Sequence, residues 1–257
     1  MSEDIREILI RHINHRFSIM GVESLLAYQI ALFVILGQHP KGLYRKDCIF
    51  VEYESSTDFA RQFQEFEQRD VPRSRTSLKS AFDKLSEAAV LQTASSKPSL
   101  EEVEIIGLKK KQYLQLYIDL KSLRDEYPDD CIRYDFMRHE FVDTKLLPLI
   151  RQLNSLVFDG KTPLMAYQMG LYFIFELTKQ QFCDGDAEFM VETYSEFSEY
   201  FSTFVDSIDV PISTISDNLD KLHDTGFVHV GFLNPRDECD LVEYKDKEHL
   251  YILVPLD

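Results

Sequence analysis

Shifted against itself by about 140 positions, the sequence finds itself. Ile10-Arg11-His12-Ile13-Asn14 returns as Ile150-Arg151-Gln152-Leu153-Asn154, and Leu25-Leu26-Ala27-Tyr28-Gln29-Ile30 as Leu164-Met165-Ala166-Tyr167-Gln168-Met169. Phe59 and Phe63 match Phe197 and Phe201, Val71-Pro72 matches Val210-Pro211, and Asp83-Lys84-Leu85 matches Asp220-Lys221-Leu222. Lys97-Pro98 falls opposite Asn234-Pro235, and Leu114 to Ile118 opposite Leu250 to Val254. Collinear matches over more than a hundred residues require duplication. A chain of 257 residues therefore reads as two domains, 1–118 and 141–257, joined by an Asp-, Pro- and Arg-rich linker at 119–140.

Each unit must bury its own core, and the periodicity shows how. Residues 5–17 place apolar side chains at helical spacing, and 25–36 are apolar nearly all round, the signature of a buried central helix. Residues 48–53 alternate as a strand. Residues 55–66 read as a helix capped by Ser55 or Ser56, and Ser74 caps another whose core face is Leu78, Ala81, Phe82 and Leu85. Residues 90–93 and 113–118 are strands flanking a polar hairpin tip at Lys97-Pro98-Ser99, and the second unit repeats the order from a leading helix at 146–157.

The segments Ser74 to Leu91 and Ser213 to Val228 resemble the winged-helix superfamily. Both look like the family's pattern of a Ser/Thr-rich start, then Leu, then x-x-Leu, then x-x-x-Gly and two apolar residues. The second copy keeps Gly226 where a left-handed helix end is wanted. The first has Ala89 there, so a differently built helix end is expected. The resemblance implies a mainly α, α+β fold of two tandem winged helices with extra leading helices. The layout is also similar to the winged-helix parts of archaeal origin-recognition and plasmid-initiator proteins, and to acidic kleisin-binding segregation subunits. No phosphate-binding loop is present, which excludes an origin-type ATPase.

A net charge of −16 argues against nucleic-acid binding until it is divided. Residues 1–118 carry 16 basic and 16 acidic side chains, the linker 4 and 7, and residues 141–257 carry 8 and 21. The helix that a winged helix lays in the major groove offers Arg73, Arg75, Lys79 and Lys84 against Asp83, with Thr76, Ser77 and Ser80 as hydroxyl donors. Lys97 and Lys109-Lys110-Lys111 would touch neighbouring phosphates from the hairpin. The matched helix bears Asp217, Asp220 and Asp224 against Lys221, a surface that repels a duplex and suits a protein partner.

Catalysis has no motif to rest on: G-x-S-x-G, H-E-x-x-H, G-x-G-x-x-G and the P-loop are all missing. His12 and His15 share a helix face without a further ligand, so they read as packed or solvated rather than metal-binding, and no cofactor is expected. The acids at 183–188 lack the length of a calcium loop. Cys48, Cys131, Cys183 and Cys239 show no C-x-x-C spacing and read as reduced structural thiols. The aromatics at Tyr53, Phe59, Phe63 and Phe66, and at Phe189, Tyr194, Phe197, Tyr200 and Phe201, fall in matched segments and are expected to pack rather than stack on single strands.

The start Met1-Ser2-Glu3-Asp4 is neither a secretory signal nor a transit peptide, and no apolar run spans a bilayer, so a cytoplasmic protein is expected. The sequence thus implies a non-enzymatic protein binding double-stranded DNA through unit one, in transcription control or in replication and partition of a replicon. Unit two and the leading helices are expected to dock a protein, a second copy or unit one. The alternative is an acidic interaction scaffold that leaves DNA alone. An effector-sensing repressor with a cavity between units ranks below both, because no residue marks a ligand.

Overall fold

The computed structural model describes residues 5–36, 43–45, 48–94, 114–119, 147–156, 163–179, 187–191, 193–207, 210–233 and 249–254. The chain divides into two compact units, Met1–Arg138 and His139–Asp257. Each is mainly helical with a small antiparallel sheet.

Unit one runs α1 (Ile5–Met20), α2 (Leu25–Leu36), β1 (Leu43–Arg45), β2 (Cys48–Tyr53), α3 (Ser56–Glu67), α4 (Arg75–Glu87), β3 (Gln92–Ala94) and β4 (Leu114–Asp119). Unit two runs α5 (Leu147–Ser155), α6 (Pro163–Lys179), β5 (Ala187–Val191), α7 (Tyr194–Val205), α8 (Ile212–Asp224), β6 (His229–Leu233) and β7 (His249–Val254). The sheets are ordered β1-β2-β4-β3 and β5-β7-β6, so β4 and β7 occupy the same central place. Their registers agree as well: Val51 and Thr93 face Leu116 from either side, as Phe189 and Val230 face Ile252.

The apolar sequence of α2 dictates its position. Every residue from Ala27 to Leu36 is buried, and the helix packs against α1, α3 and α4. α6 does the same with α5, α7 and α8. Phe33 of α2 meets Phe59, Phe63 and Phe66 of α3 at ring separations of 5.7, 5.5 and 5.2 Å. Tyr172 of α6 meets Phe197, Phe201 and Phe204 at 5.7, 6.0 and 5.4 Å. The aromatics therefore form two copies of one core. Tyr200 departs from the expected cluster: it stands exposed on α7 with its hydroxyl donating to Glu196.

A polar contact is repeated too. The Tyr28 hydroxyl donates to Asn14 Oδ1 at 2.6 Å, and Tyr167 to Asn154 Oδ1 at 2.6 Å, both buried. These bonds join each leading helix to its central helix. Beside the second, Gly170 lets the helices close: a Cβ there would lie 2.5 Å from Leu153 Cδ1. Unit one has Ala31 and Ile13 at the matching positions.

Several boundaries differ from expectation. α1 continues past residue 17 to Met20 and stops at Gly21, whose φ of +61° lets Val22 N–H return to the Phe17 carbonyl. Ile19 and Met20 are exposed and added no periodicity to read. β1 was not anticipated at three residues. β3 begins at Gln92, since Val90 and Leu91 N–H groups both donate to the Leu85 carbonyl, closing the end of α4.

That closure corrects the expectation for Ala89. It takes φ +53°, as Gly226 takes +73°, and Phe227 and Val228 N–H groups donate to Leu222 just as their counterparts do to Leu85. The two helix ends are built alike, with unit one accepting a left-handed alanine at a torsional cost of about 1 kcal/mol. Gly226 has open space around its missing Cβ. Gly226→Ala should lower unit-two stability by about 1 kcal/mol, and Ala89→Gly should raise unit-one stability by about 0.5 kcal/mol, since glycine returns part of the gain as unfolded-state entropy; urea titrations check both. Gly170→Ala should cost about 1–3 kcal/mol through overpacking, and Gly170→Ala with Leu153→Ile, the unit-one pairing, should recover most of that midpoint.

Candidate nucleic-acid interface

The helix pair α3 and α4 determines which side chains unit one presents. Ser55 caps α3, its Oγ accepting the Asp58 N–H at 3.1 Å. Burial pushes the Asp58 carboxyl up, but hydrogen bonds from Gln62, the Glu54 N–H and Arg61 outweigh it and hold the group below its ordinary value. The charged cap therefore persists into acid, its contribution fading only as pH falls through that lowered value. Ser74 caps α4 by accepting the Ser77 N–H at 3.1 Å. Leu78, Ala81, Phe82 and Leu85 face the core as anticipated, leaving the other positions outward. Arg16 of α1 locks the far end, donating from Nε to the Ala88 carbonyl at 2.8 Å.

Arg75, Thr76, Ser77, Lys79, Ser80 and Lys84 are all exposed on α4. Arg75 and Lys79 lie one turn apart on one line of the helix, and Asp83 and Glu87 continue that line. Lys84 is about half a turn around from them. Along that line, cations occupy the N-terminal half and acids the C-terminal half, while Lys84 sits among the acids on another face. The sequence reading, which opposed these cations to Asp83 alone, missed Glu87, the last residue of the helix. Ser77 shares a 2.9 Å hydrogen bond with the Ser74 hydroxyl, so part of its capacity goes to the cap. Lys97, Lys109, Lys110 and Lys111 lie outside the described residues, as do Cys131, Cys183, Cys239 and the acids at 184–186.

Arg73 has a different place from the one expected. Its Nε lies 2.9 and 3.2 Å from the two oxygens of Glu67, and its Nη2 lies 2.6 Å from Oε1. The Glu67 side chain is 2% exposed and that of Arg73 28%. It is a component of the α3–α4 turn before it is a surface cation.

Counting from the helix boundaries, α4 and α8 correspond over thirteen residues each. Asp83, Lys84 and Glu87 match Asp220, Lys221 and Asp224, so the C-terminal halves carry equal charge. The difference lies at Arg75, Lys79 and Ser80, replaced by Ile212, Ser216 and Asp217. Asp217 and Asp224 are exposed, Asp220 is half-buried, and Ile212 is 51% exposed at the start of α8. Lys221 turns toward Asn218 Oδ1, 3.3 Å away.

The same count corrects the Val-Pro match. Pro211 stands where Ser74 does and caps α8 without a side-chain bond; Val210 stands where Arg73 does, and Val205 where Glu67 does. Val210 and Val205 are 3% and 4% exposed. Unit two thus replaces the ion pair with apolar side chains and ties its turn by Ser198 Oγ donating to the Val210 carbonyl and Val210 N–H donating to Ser202 Oγ.

His12 is buried in α1 and His15 half-buried. Among the described residues no three His, Cys, Asp or Glu side chains converge to hold a metal, and no helix is long and apolar enough to cross a membrane. Compared with protein-family models, curated proteins and solved structures, the chain matches none.

Arg73→Ala should strand the Glu67 carboxylate in the core and lower unit-one stability by about 3 kcal/mol, with Glu67→Val costing less because Arg73 can turn to water. Chemical denaturation followed by circular dichroism distinguishes these two costs.

Proposed function

We propose that each unit is a winged helix and that the protein is a non-catalytic DNA-binding protein, acting in transcription control or in replication and partition of a replicon. Unit one contacts duplex DNA with the N-terminal half of α4. Support for the fold comes from the order α2, β2, α3, α4, β3, β4 and from the central position of β4 between β2 and β3. Support for the partner comes from one contrast. Two helices on the same frame differ in charge only at Arg75/Ile212, Lys79/Ser216 and Ser80/Asp217.

Those positions belong to the half of a recognition helix that reaches base edges. Arg75 suits bidentate contact with guanine, Lys79 a phosphate or base acceptor, and Thr76 and Ser80 hydroxyl bonds. Asp83 and Glu87, near the other end, would lean away from the backbone. Unit two offers the exposed Ile212 at the start of α8 and the exposed acids Asp217 and Asp224 further along it, which favours a protein partner there and no duplex.

Fluorescence anisotropy with random duplex and with the gene's own upstream DNA, at two salt concentrations, tests the reading. Wild-type binding should weaken steeply with salt. Arg75→Glu with Lys79→Glu should weaken it about 100-fold with the circular dichroism spectrum unchanged, two contacts at about 1–1.5 kcal/mol each. Undiminished binding by that variant would put the interface elsewhere. No wild-type binding even at low salt would leave an acidic protein-docking scaffold as the function.

A further inference from the structure

Unit two builds its α7–α8 turn from the buried Val205 and Val210 and the bonds of Ser198 and Ser202 to Val210, so a turn at this place in the fold does not require an ion pair. A buried pair is on average no more stabilising than well-packed apolar side chains of similar volume. The pair between Glu67 and Arg73 therefore calls for another reason. Arg73 donates from Nε and Nη2 to Glu67, which fixes the plane of the guanidinium. Its Nη1 makes no hydrogen bond among the described residues, and the side chain remains 28% exposed. That remaining donor edge sits two residues ahead of Arg75, at the start of α4.

We infer that Glu67 is a positioning residue that aims Arg73 at a DNA phosphate flanking the base contacts of α4. The inference rests on the reading of α4 as the DNA face. A guanidinium already held in one plane loses less freedom when it meets a phosphate, and its contact is charge-assisted. Unit two, lacking the cations of α4, lacks the aimed arginine as well.

Salt dependence separates a phosphate contact from a structural brace. Glu67→Val with Arg73→Val installs the two unit-two valines without the serines that tie that turn, so the thermal midpoint should fall only modestly. Its affinity for duplex DNA should fall about tenfold, and the slope of log K against log salt should shrink by about 0.9, the signature of one lost phosphate contact. Glu67→Gln, which keeps the arginine but loosens its hold, should reduce affinity with the slope unchanged. Wild-type affinity and slope in the double valine variant overturn the inference while leaving the α4 reading intact; no salt-sensitive binding by the wild-type protein removes both. If the double variant fails to fold, Arg73→Lys carries the test, for a lysine cannot be held side-on by Glu67, and undiminished affinity there equally overturns the assignment.

Discussion

Each unit depends on a hydrogen bond between two buried polar side chains. A tyrosine hydroxyl and an asparagine amide, buried among apolar side chains, together would cost several kcal/mol without each other. Paired at 2.6 Å in both units, they fix the leading helix on the central helix in one register. An apolar seam alone would tolerate a slide by one turn; this bond does not. With that register fixed, the central helix presents one flank to the aromatic cluster and another to the helix whose outer face is proposed to read DNA.

Divergence between the units follows the boundary between inside and outside. Phe33 and Tyr172 hold matched places against the phenylalanines of α3 and α7, and Ile13 with Ala31 answers to Leu153 with Gly170, exchanges that change volume by no more than an oxygen or a methylene. The turn before α4 and α8 shows a sharper exchange, an ion pair in one unit and two valines in the other, with two serines taking over the polar bonding. Similar geometry is thus reached through opposite chemistry. The outer faces changed sign only in the N-terminal halves of the two helices.

Much of this was legible in the residues. The duplication, the central helix 25–36, a cap at Ser55 or Ser56, the Ser74 cap and the core face of α4 rest on periodicity and local capping, which are sequence-local signals. Three features were hidden for physical reasons. Arg73 looked like a surface cation because its partner Glu67 lies on the preceding helix, and nothing local announces that a glutamate ending an amphipathic helix turns inward. Ala89 looked like a departure because identity is a poor guide to torsion when the surrounding hydrogen bonds impose a left-handed residue at modest cost. The Val71-Pro72 match misled because the turn in unit one is one residue longer, so equal letters fell on unequal positions. Exposure on α4 was readable; the acid at its last turn was not, because the apolar positions that mark the helix stop at Leu85, two residues before Glu87.

The correspondence of α4 with α8 has a consequence for how such a chain changes over generations. Four inward positions on each helix hold the frame, and the outward positions answer to almost nothing inside the unit. Three differences, at positions outside each helix's core face, separate a cationic edge from an acidic one. In a chain of two such units, the outer face of one can therefore change without disturbing the frame that both share.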